Sequence, residues 1–204
     1  VKKEAELLGS KVINFVGDIA SNDFCDEVAF QTIEFFGTVD ILVNCAGAIA
    51  RSVTEEMNYE DWHRVIDTNL HGVLYLTRNI LPIMRTNRYG KIINLTSQMA
   101  HMPHPAASPS YEVSKSGVTA LTRHLAQEYA KFNICVNNIA PGSIDTDLPK
   151  SMTTDQRQKL KNAVPMKRLG LVEEVAECAI FLACNKSDYI TGSSLHINGG
   201  SLIL

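Results

Sequence analysis

The sequence predicts a single α/β domain built on a parallel sheet. Two observations carry this: short apolar runs alternate with longer segments of helical period, and no internal repeat, low-complexity tract or linker interrupts them. The composition fits as well: 204 residues, 45% apolar and 20% charged, suit one soluble domain with a real core. Strands spaced by helices are joined by crossovers, so ligands are expected at the carboxyl ends of the strands.

The elements follow in order. Residues 1–9 read as the remnant of a helix. Residues 11–17 (KVINFVG) read as a strand, and residues 22–36 as a helix stopped by Gly37. Residues 40–44 (DILVN) form a strand. Residues 59–84 form a long helix with an apolar stripe through Trp62, Val65, Ile66, Val73, Leu74, Thr77, Ile80 and Leu81. Residues 91–97 are a strand, and residues 111–131 a helix striped by Val118, Leu121 and Leu125. Residues 134–139 are a strand, residues 171–184 a helix, and residues 194–197 a last strand.

Several function classes are disfavoured. A net charge of −3 without a long basic run gives no electrostatic reason to expect nucleic acid. No apolar run reaches the ~18 residues of a membrane span. The start, Val1-Lys2-Lys3-Glu4, has no signal-peptide apolar region. Cys25, Cys45, Cys135, Cys178 and Cys184 are odd in number and form no C-x-x-C pair, so buried, reduced thiols in a cytoplasmic protein are expected. His101-Met-Pro-His104 is the one hint of a metal site. No H-E-x-x-H motif or Cys/His cluster supports it, so pocket lining or plain loop is expected and no metal.

Chemistry concentrates at the strand ends. Tyr111-Glu-Val-Ser-Lys115 puts a phenol and an ammonium at i and i+4 on one helix face. A positive charge beside a tyrosine favours its phenolate and lowers its pKa, which suits proton exchange with an alcohol or ketone. Ser97 ends a strand fourteen residues earlier, where a hydroxyl can bond a substrate carbonyl. Asn69 falls on an apolar helix stripe. It is either a core asparagine bonded to backbone or one that holds a water in the site. Asn44-Cys-Ala46-Gly47 follows the DILV strand with small residues that let a ligand approach the backbone. Pro141-Gly142-Ser-Ile144-Asp-Thr146 is a rigid turn with amides for a planar carboxamide.

Asn-x-Ala-Gly, a helical Asn, Ser, Tyr-x-x-x-Lys and Pro-Gly-x-Ile-x-Thr, in this order and spacing, resemble the short-chain dehydrogenase/reductase family. The resemblance runs from about Val12 to Leu204. It includes Val164-Pro-Met-Lys-Arg-Leu-Gly170, Glu173-Glu174-Val-Ala176, Tyr189-Ile-Thr-Gly192 and Asn198-Gly-Gly200. It implies a Rossmann-like, doubly wound parallel sheet and an NAD or NADP cofactor, with the preference open. It also implies site roles: Tyr111 as acid/base, Lys115 tuning it and binding ribose, Ser97 polarising the carbonyl, and Asn69 holding a water. Asn44, Ala46 and Gly47 would line the cofactor and Asp18 would contact adenine. Pro141, Gly142, Ile144 and Thr146 would hold the carboxamide end.

The family's first β-α-β unit, with its glycine-rich phosphate turn, is lacking in the chain as given. Such a unit spans at least ~30 residues. The 204 residues are therefore expected to be an N-terminally truncated single domain, in which KVINFVG has no neighbour and DILVN is an exposed edge. The ending looks most like 3-oxoacyl-carrier-protein reductases. Arg88 stands at one carrier-docking position, while Phe132, beside Lys131, stands at the other. The alternative is a gluconate, sugar-acid or polyol dehydrogenase. A third reading, from another class, is a non-catalytic binding or structural subunit. The expected partners are a small carbonyl or alcohol substrate, possibly a carrier-protein thioester, and further copies in a homotetramer or homodimer.

Overall fold

The computed structural model describes residues 2–103, 107–146 and 152–204. Its centre is a four-stranded sheet, entirely parallel, in the order β1 (Ile41–Asn44), β2 (Gly90–Leu95), β3 (Ile134–Pro141) and β4 (Ser194–Ile197). The helices are α1 (Lys2–Leu7), α2 (Asn22–Phe36), α3 (Tyr59–Ile66), α4 (Gly72–Asn87), α5 (Pro109–Tyr129), α6 (Thr154–Ala163) and α7 (Val172–Ala183). This is the α/β arrangement the sequence predicts.

Local signals fix the helix ends. Ser21 caps α2 by accepting from the Phe24 amide, and Gly37 closes it in a left-handed conformation (φ 78°) that a side chain would strain. The expected helix over residues 59–84 runs on to Asn87. A π-helical turn over Asp67–His71 interrupts it and contains Asn69. Its stripe is largely as expected, with Val65, Val73, Thr77, Ile80 and Leu81 buried. Leu74 instead faces outward.

Alternating side chains in the strands feed two cores. Leu42, Ile92 and Val136 pack with Ile80, Leu81, Met84 and Leu125 of α4 and α5, while Ile93 and Ile139 pack with Leu182 of α7 on the other face. A polar row crosses the first core. Asn44, Asn94, Asn138 and Ser194 are register partners on β1 to β4. Asn44 Nδ2 donates to Asn94 Oδ1 (2.8 Å), Asn94 Nδ2 to Thr122 Oγ1 (2.8 Å), Thr122 Oγ1 to Asn138 Oδ1 (2.6 Å), and Asn138 Nδ2 to Ser194 Oγ (3.1 Å).

Three expectations need correction. Residues 11–17 form no strand, because no described strand lies beside them to complete a ladder. α6 was not expected, since its residues carry no apolar stripe. A capping box between Thr153 and Gln156 starts it. The expectation of buried thiols holds for Cys25 and Cys135 only, since Cys45 is exposed and Cys178 and Cys184 are half-buried. β1 is an edge strand as anticipated, with Ile41 and Val43 each 45% exposed. Among the described residues, no helix is long and apolar enough to cross a membrane.

Removing the Asn94 amide takes one of two hydrogen-bond partners from Asn44 Nδ2, which keeps Thr77, and from Thr122 Oγ1, which keeps Asn138. Asn94→Leu is expected to cost roughly 1–3 kcal/mol of stability. Urea denaturation checks this, and a loss below ~1 kcal/mol would mean the row is not under tension from unmet polar groups.

Candidate active site

The carboxyl ends of β1, β2 and β3 and the first turns of α5 converge on one cleft. α5 begins with Pro109 in its first turn, where the missing N–H is not needed. That start sets Tyr111 and Lys115 on the face turned to β2. Lys115 is buried, and its Nζ donates to the carbonyl of Leu95, the last residue of β2 (2.7 Å). Nζ lies 5.9 Å from the centre of the Tyr111 ring. Ser97, two residues beyond β2, hydrogen-bonds the Tyr111 side chain and accepts from the Met99 amide (3.1 Å).

Asn69 holds the facing loop. Its Oδ1 accepts from the Ala48 amide (2.7 Å), and its Nδ2 donates to the Ala48 carbonyl (2.9 Å) and to Ser114 Oγ (3.0 Å). Both Nδ2 protons are thus committed to protein, the backbone-bonded alternative weighed from the sequence. The side chain is a clamp between the Ala48 backbone and Ser114. Ser114 in turn donates to the Tyr111 carbonyl (2.8 Å). Through these bonds Tyr111, Ser114, Asn69 and Ala48 form one connected set.

The cofactor candidates divide. Ala46 and Gly47 are exposed in the loop after β1, and Gly47 faces the clamp closely. A Cβ there would sit 3.5 Å from Asn69 Oδ1 and 3.6 Å from Lys115 Nζ. The Asn44 side chain points into the sheet, to Asn94 and to Thr77 (3.2 Å). Asn44 supports this loop from the sheet and lines a small cavity together with Cys45 and Ala46. Gly142 has no room for a side chain: a Cβ would come within 2.8 Å of Asn198 and 2.9 Å of Gln98 Oε1. It follows Pro141, and its amide donates to the Ile197 carbonyl (2.8 Å). Ile144 bridges to Gly170, and Thr146 closes the same turn on the Ile144 carbonyl. Asp18 is exposed and accepts from the Ala20 amide (2.9 Å), so it forms a turn at the rim without contact to the Tyr111 set.

The electrostatics differ from the sequence expectation. Burial pushes the Tyr111 phenol above its ordinary value, and the Ser97 hydrogen bond only partly opposes this. Burial also lowers Lys115, to about 8, with Cys45 opposing. Desolvation outweighs the mutual tuning that an i, i+4 spacing suggests, because the ammonium is aimed at the Leu95 carbonyl.

Two further groups hold the site together without a motif to mark them, Ser114 and Asn94. Asn94 had a readable signal, a lone amide inside an apolar strand. The Ser114 role depends on packing between α5 and the π turn, which spacing does not reveal. His101 lies beside the site in the turn after Ser97. His104 lies outside the described residues. No group of three or more His, Cys, Asp or Glu side chains able to hold a metal is found among the described residues.

A dinucleotide fits this cleft on the chemistry of its donors. An ammonium offers three protons and the Leu95 carbonyl takes one, which leaves donors for ribose hydroxyls. The exposed Ala46 and Gly47 backbone beside it leaves a face open to a flat ligand.

A family profile described as enoyl-(acyl carrier protein) reductase matches residues 1–201. A 3-oxoacyl-(acyl-carrier-protein) reductase of Thermotoga maritima is 37% identical over 201 residues, 98% of this chain and 81% of that protein. The enzyme of the same name from Staphylococcus epidermidis is 36% identical over 200 residues, 98% of this chain and 82% of its own. Nodulation protein G of Azospirillum brasilense is 36% identical over 197 residues, 97% and 80% respectively. A crystal structure of a provisionally assigned gluconate dehydrogenase from Agrobacterium tumefaciens superposes with a TM-score of 0.92. It is 33% identical, and the match covers 99% of this chain and 80% of that one.

Between about pH 8 and the ordinary lysine value of 10.5 the unfolded chain binds the Lys115 proton more tightly than the folded one. The stability contribution of this group therefore rises with pH through that window. Lys115→Met is expected to melt above the parent at pH 7, with the gain shrinking as pH rises past 8. Melting curves across pH decide it, and a gain independent of pH would contradict the burial cost.

Proposed function

We propose a reaction for this chain on one premise: it belongs to the short-chain dehydrogenase/reductase family and is an NAD(P)-dependent oxidoreductase. The reaction interconverts a carbonyl and a secondary alcohol, in the manner of a 3-oxoacyl-carrier-protein reductase. The observation that carries this reading is the Ser97–Tyr111 hydrogen bond with the Lys115 ammonium buried behind it.

When bound, NADH or NADPH supplies the hydride. In reduction, the Tyr111 hydroxyl gives its proton to the oxygen of the substrate carbonyl. Burial keeps the free phenol protonated, so the proton to be given is in place, while the Ser97 hydrogen bond works against the rise that would make it a weaker acid. Ser97 Oγ donates to the same oxygen and stabilises the charge that develops on it. Lys115 uses its spare donors on ribose and offsets negative charge on Tyr111 once the proton has left. Asn69 keeps the Ala48 backbone, and with it the Ala46 and Gly47 surface, at a fixed distance from Lys115. Gly142, Ile144 and Thr146 form the turn for a carboxamide, and Asp18 the rim toward adenine.

Two substrate classes follow. The reductase relatives favour a 3-oxoacyl thioester on a carrier protein, and the superposition with a gluconate dehydrogenase favours a sugar acid. Arg88, at one carrier-docking position, and Phe132 with its neighbour Lys131, at the other, lie at the amino ends of β2 and β3. The Arg88 guanidinium donates to the Lys131 carbonyl (3.2 Å). They are a strand's length from Ser97, so a carrier held there does not enter this cleft directly. We place the enzyme in the cytoplasm, from its free thiols, and infer a homotetramer or homodimer.

Tyr111→Phe is expected to lower kcat by about a hundredfold to ten-thousandfold while NADH and NADPH binding, followed by fluorescence, stays unchanged. Near-normal turnover would sink the assignment, and loss of binding in the parent would leave a non-catalytic role. A panel of acetoacetyl thioesters and sugar acids is expected to give turnover with the thioesters. Turnover with the sugar acids alone would select the second class.

A further inference from the structure

Behind Ser97 lies a pair of imidazoles that the proposed chemistry does not use. Ser97 leads into a tight turn over Gln98–Ala100 that His101 closes. The His101 ring meets the ring of His196, on β4, edge to face with centres 4.9 Å apart. Gln98 Oε1, His101 Nε2 and His196 Nδ1 are all buried and without a hydrogen-bond partner. Three such atoms on neighbouring side chains call for a physical reason, since buried polar atoms are nearly always paired.

The cluster sits where two working parts of the cleft are joined. On one side Gln98 packs against Gly142, whose amide is held by Ile197, the residue after His196. On the other side Ser116 Oγ donates to the Ala100 carbonyl (2.9 Å) and ties the turn to α5. α5 therefore fixes one flank of the Ser97 turn by a hydrogen bond. The other flank rests on β4 through the histidine contact.

We propose that His101 and His196 are a positioning pair: neutral, they seat the Ser97 turn against β4, and a proton taken up by either ring opens the contact and misaims Ser97. The inference rests on the reading of Ser97 as the group that binds the substrate carbonyl.

The surroundings make the contact sensitive to charge. Burial holds both rings below the ordinary histidine range. Arg168 and Glu174, which are paired with each other, line the same cavity as His196. The groups that shift the rings are Arg123 from α5, which faces His101, and His101 itself, which acts on His196 across the contact. Each disfavours an imidazolium, so a first proton is costly and a second would place like charges in contact. Opening the pair lets the charged ring reach water.

The test uses the full chain with NADPH and the substrate selected by the panel. Imidazole and Met99 amide resonances are followed by NMR between about pH 5 and 8. The Met99 amide reports on Ser97 directly, because it donates to Ser97 Oγ. The expected result is that both imidazoles titrate below free histidine and that the Met99 amide shifts with the same midpoint. In the parent, kcat/KM should fall about tenfold per pH unit below that midpoint while NADPH affinity stays flat. His196→Asn should remove the coupled Met99 shift and this acid limb, and His101→Asn should repeat the effect if the first variant is poorly folded. A Met99 amide that ignores the imidazole titration in the parent overturns the proposal, as does an unchanged acid limb in either folded variant. Coupled titration in a protein without turnover would leave the pair intact and defeat the catalytic reading of Ser97 instead.

Discussion

The polar row across the sheet is the constraint on which the site depends. Parallel strands of Val and Ile have little to choose between neighbouring registers, because every residue offers a similar apolar face. Asn44, Asn94, Asn138 and Ser194 remove that freedom, since each amide finds its partner only when these four residues lie side by side. Thr122 binds the row to α5, the helix that carries Tyr111 and Lys115. A slip of β2 by one residue would break the two of these bonds that Asn94 makes and move Ser97 away from Tyr111. The bonds share one direction, each donor group accepting from the one before, so they polarise one another.

The same register explains why a buried lysine is tolerated. The Leu95 carbonyl lies just past the row, at the end of β2, and is the acceptor on which the ammonium rests. Burial drives Lys115 toward its neutral form and Tyr111 toward its protonated form. Each shift makes folding less favourable for the charged state, which is the cost of placing a proton-handling pair in a core. This conflict between stability and function is expected where a site is assembled in a core.

Much of this was legible in the sequence, and the failures share a cause. The alternation of strand and helix, the Gly37 stop and the order of Asn44, Asn69, Ser97, Tyr111 and Lys115 express local or periodic preferences, which one chain reveals. The strand expected at residues 11–17 did not form, because apolar content signals a wish for burial while a strand also needs a neighbour for its backbone. The direction of the Tyr111 shift is not legible in the motif, because four residues on a helix fix a face but not where the lysine tip points. α6 has no periodic signature, since its signal is a cap, Thr153 with Gln156, and not a stripe. The clamp formed by Asn69 with Ala48 and Ser114 needs three segments brought together, and no spacing encodes that.

The site has two halves that differ in how firmly they are held. Ser97, Lys115, Asn69 and Ser114 are buried and bonded to β2, α5 and the π turn. Cys45, Ala46, Gly47 and Asp18 are exposed, on or beyond an edge strand whose outward Ile41 and Val43 are 45% uncovered. Local opening follows density of packing and of protected hydrogen bonds, so the edge half opens at lower free energy than the proton-handling half. Asn69 is the joint between them. Its two bonds to Ala48 are long-range links from the buried half to the loop after β1. A ligand lying on Gly47 and bonded to Lys115 would add to that joint from the cleft side, and so would transfer order from the catalytic half to the exposed one.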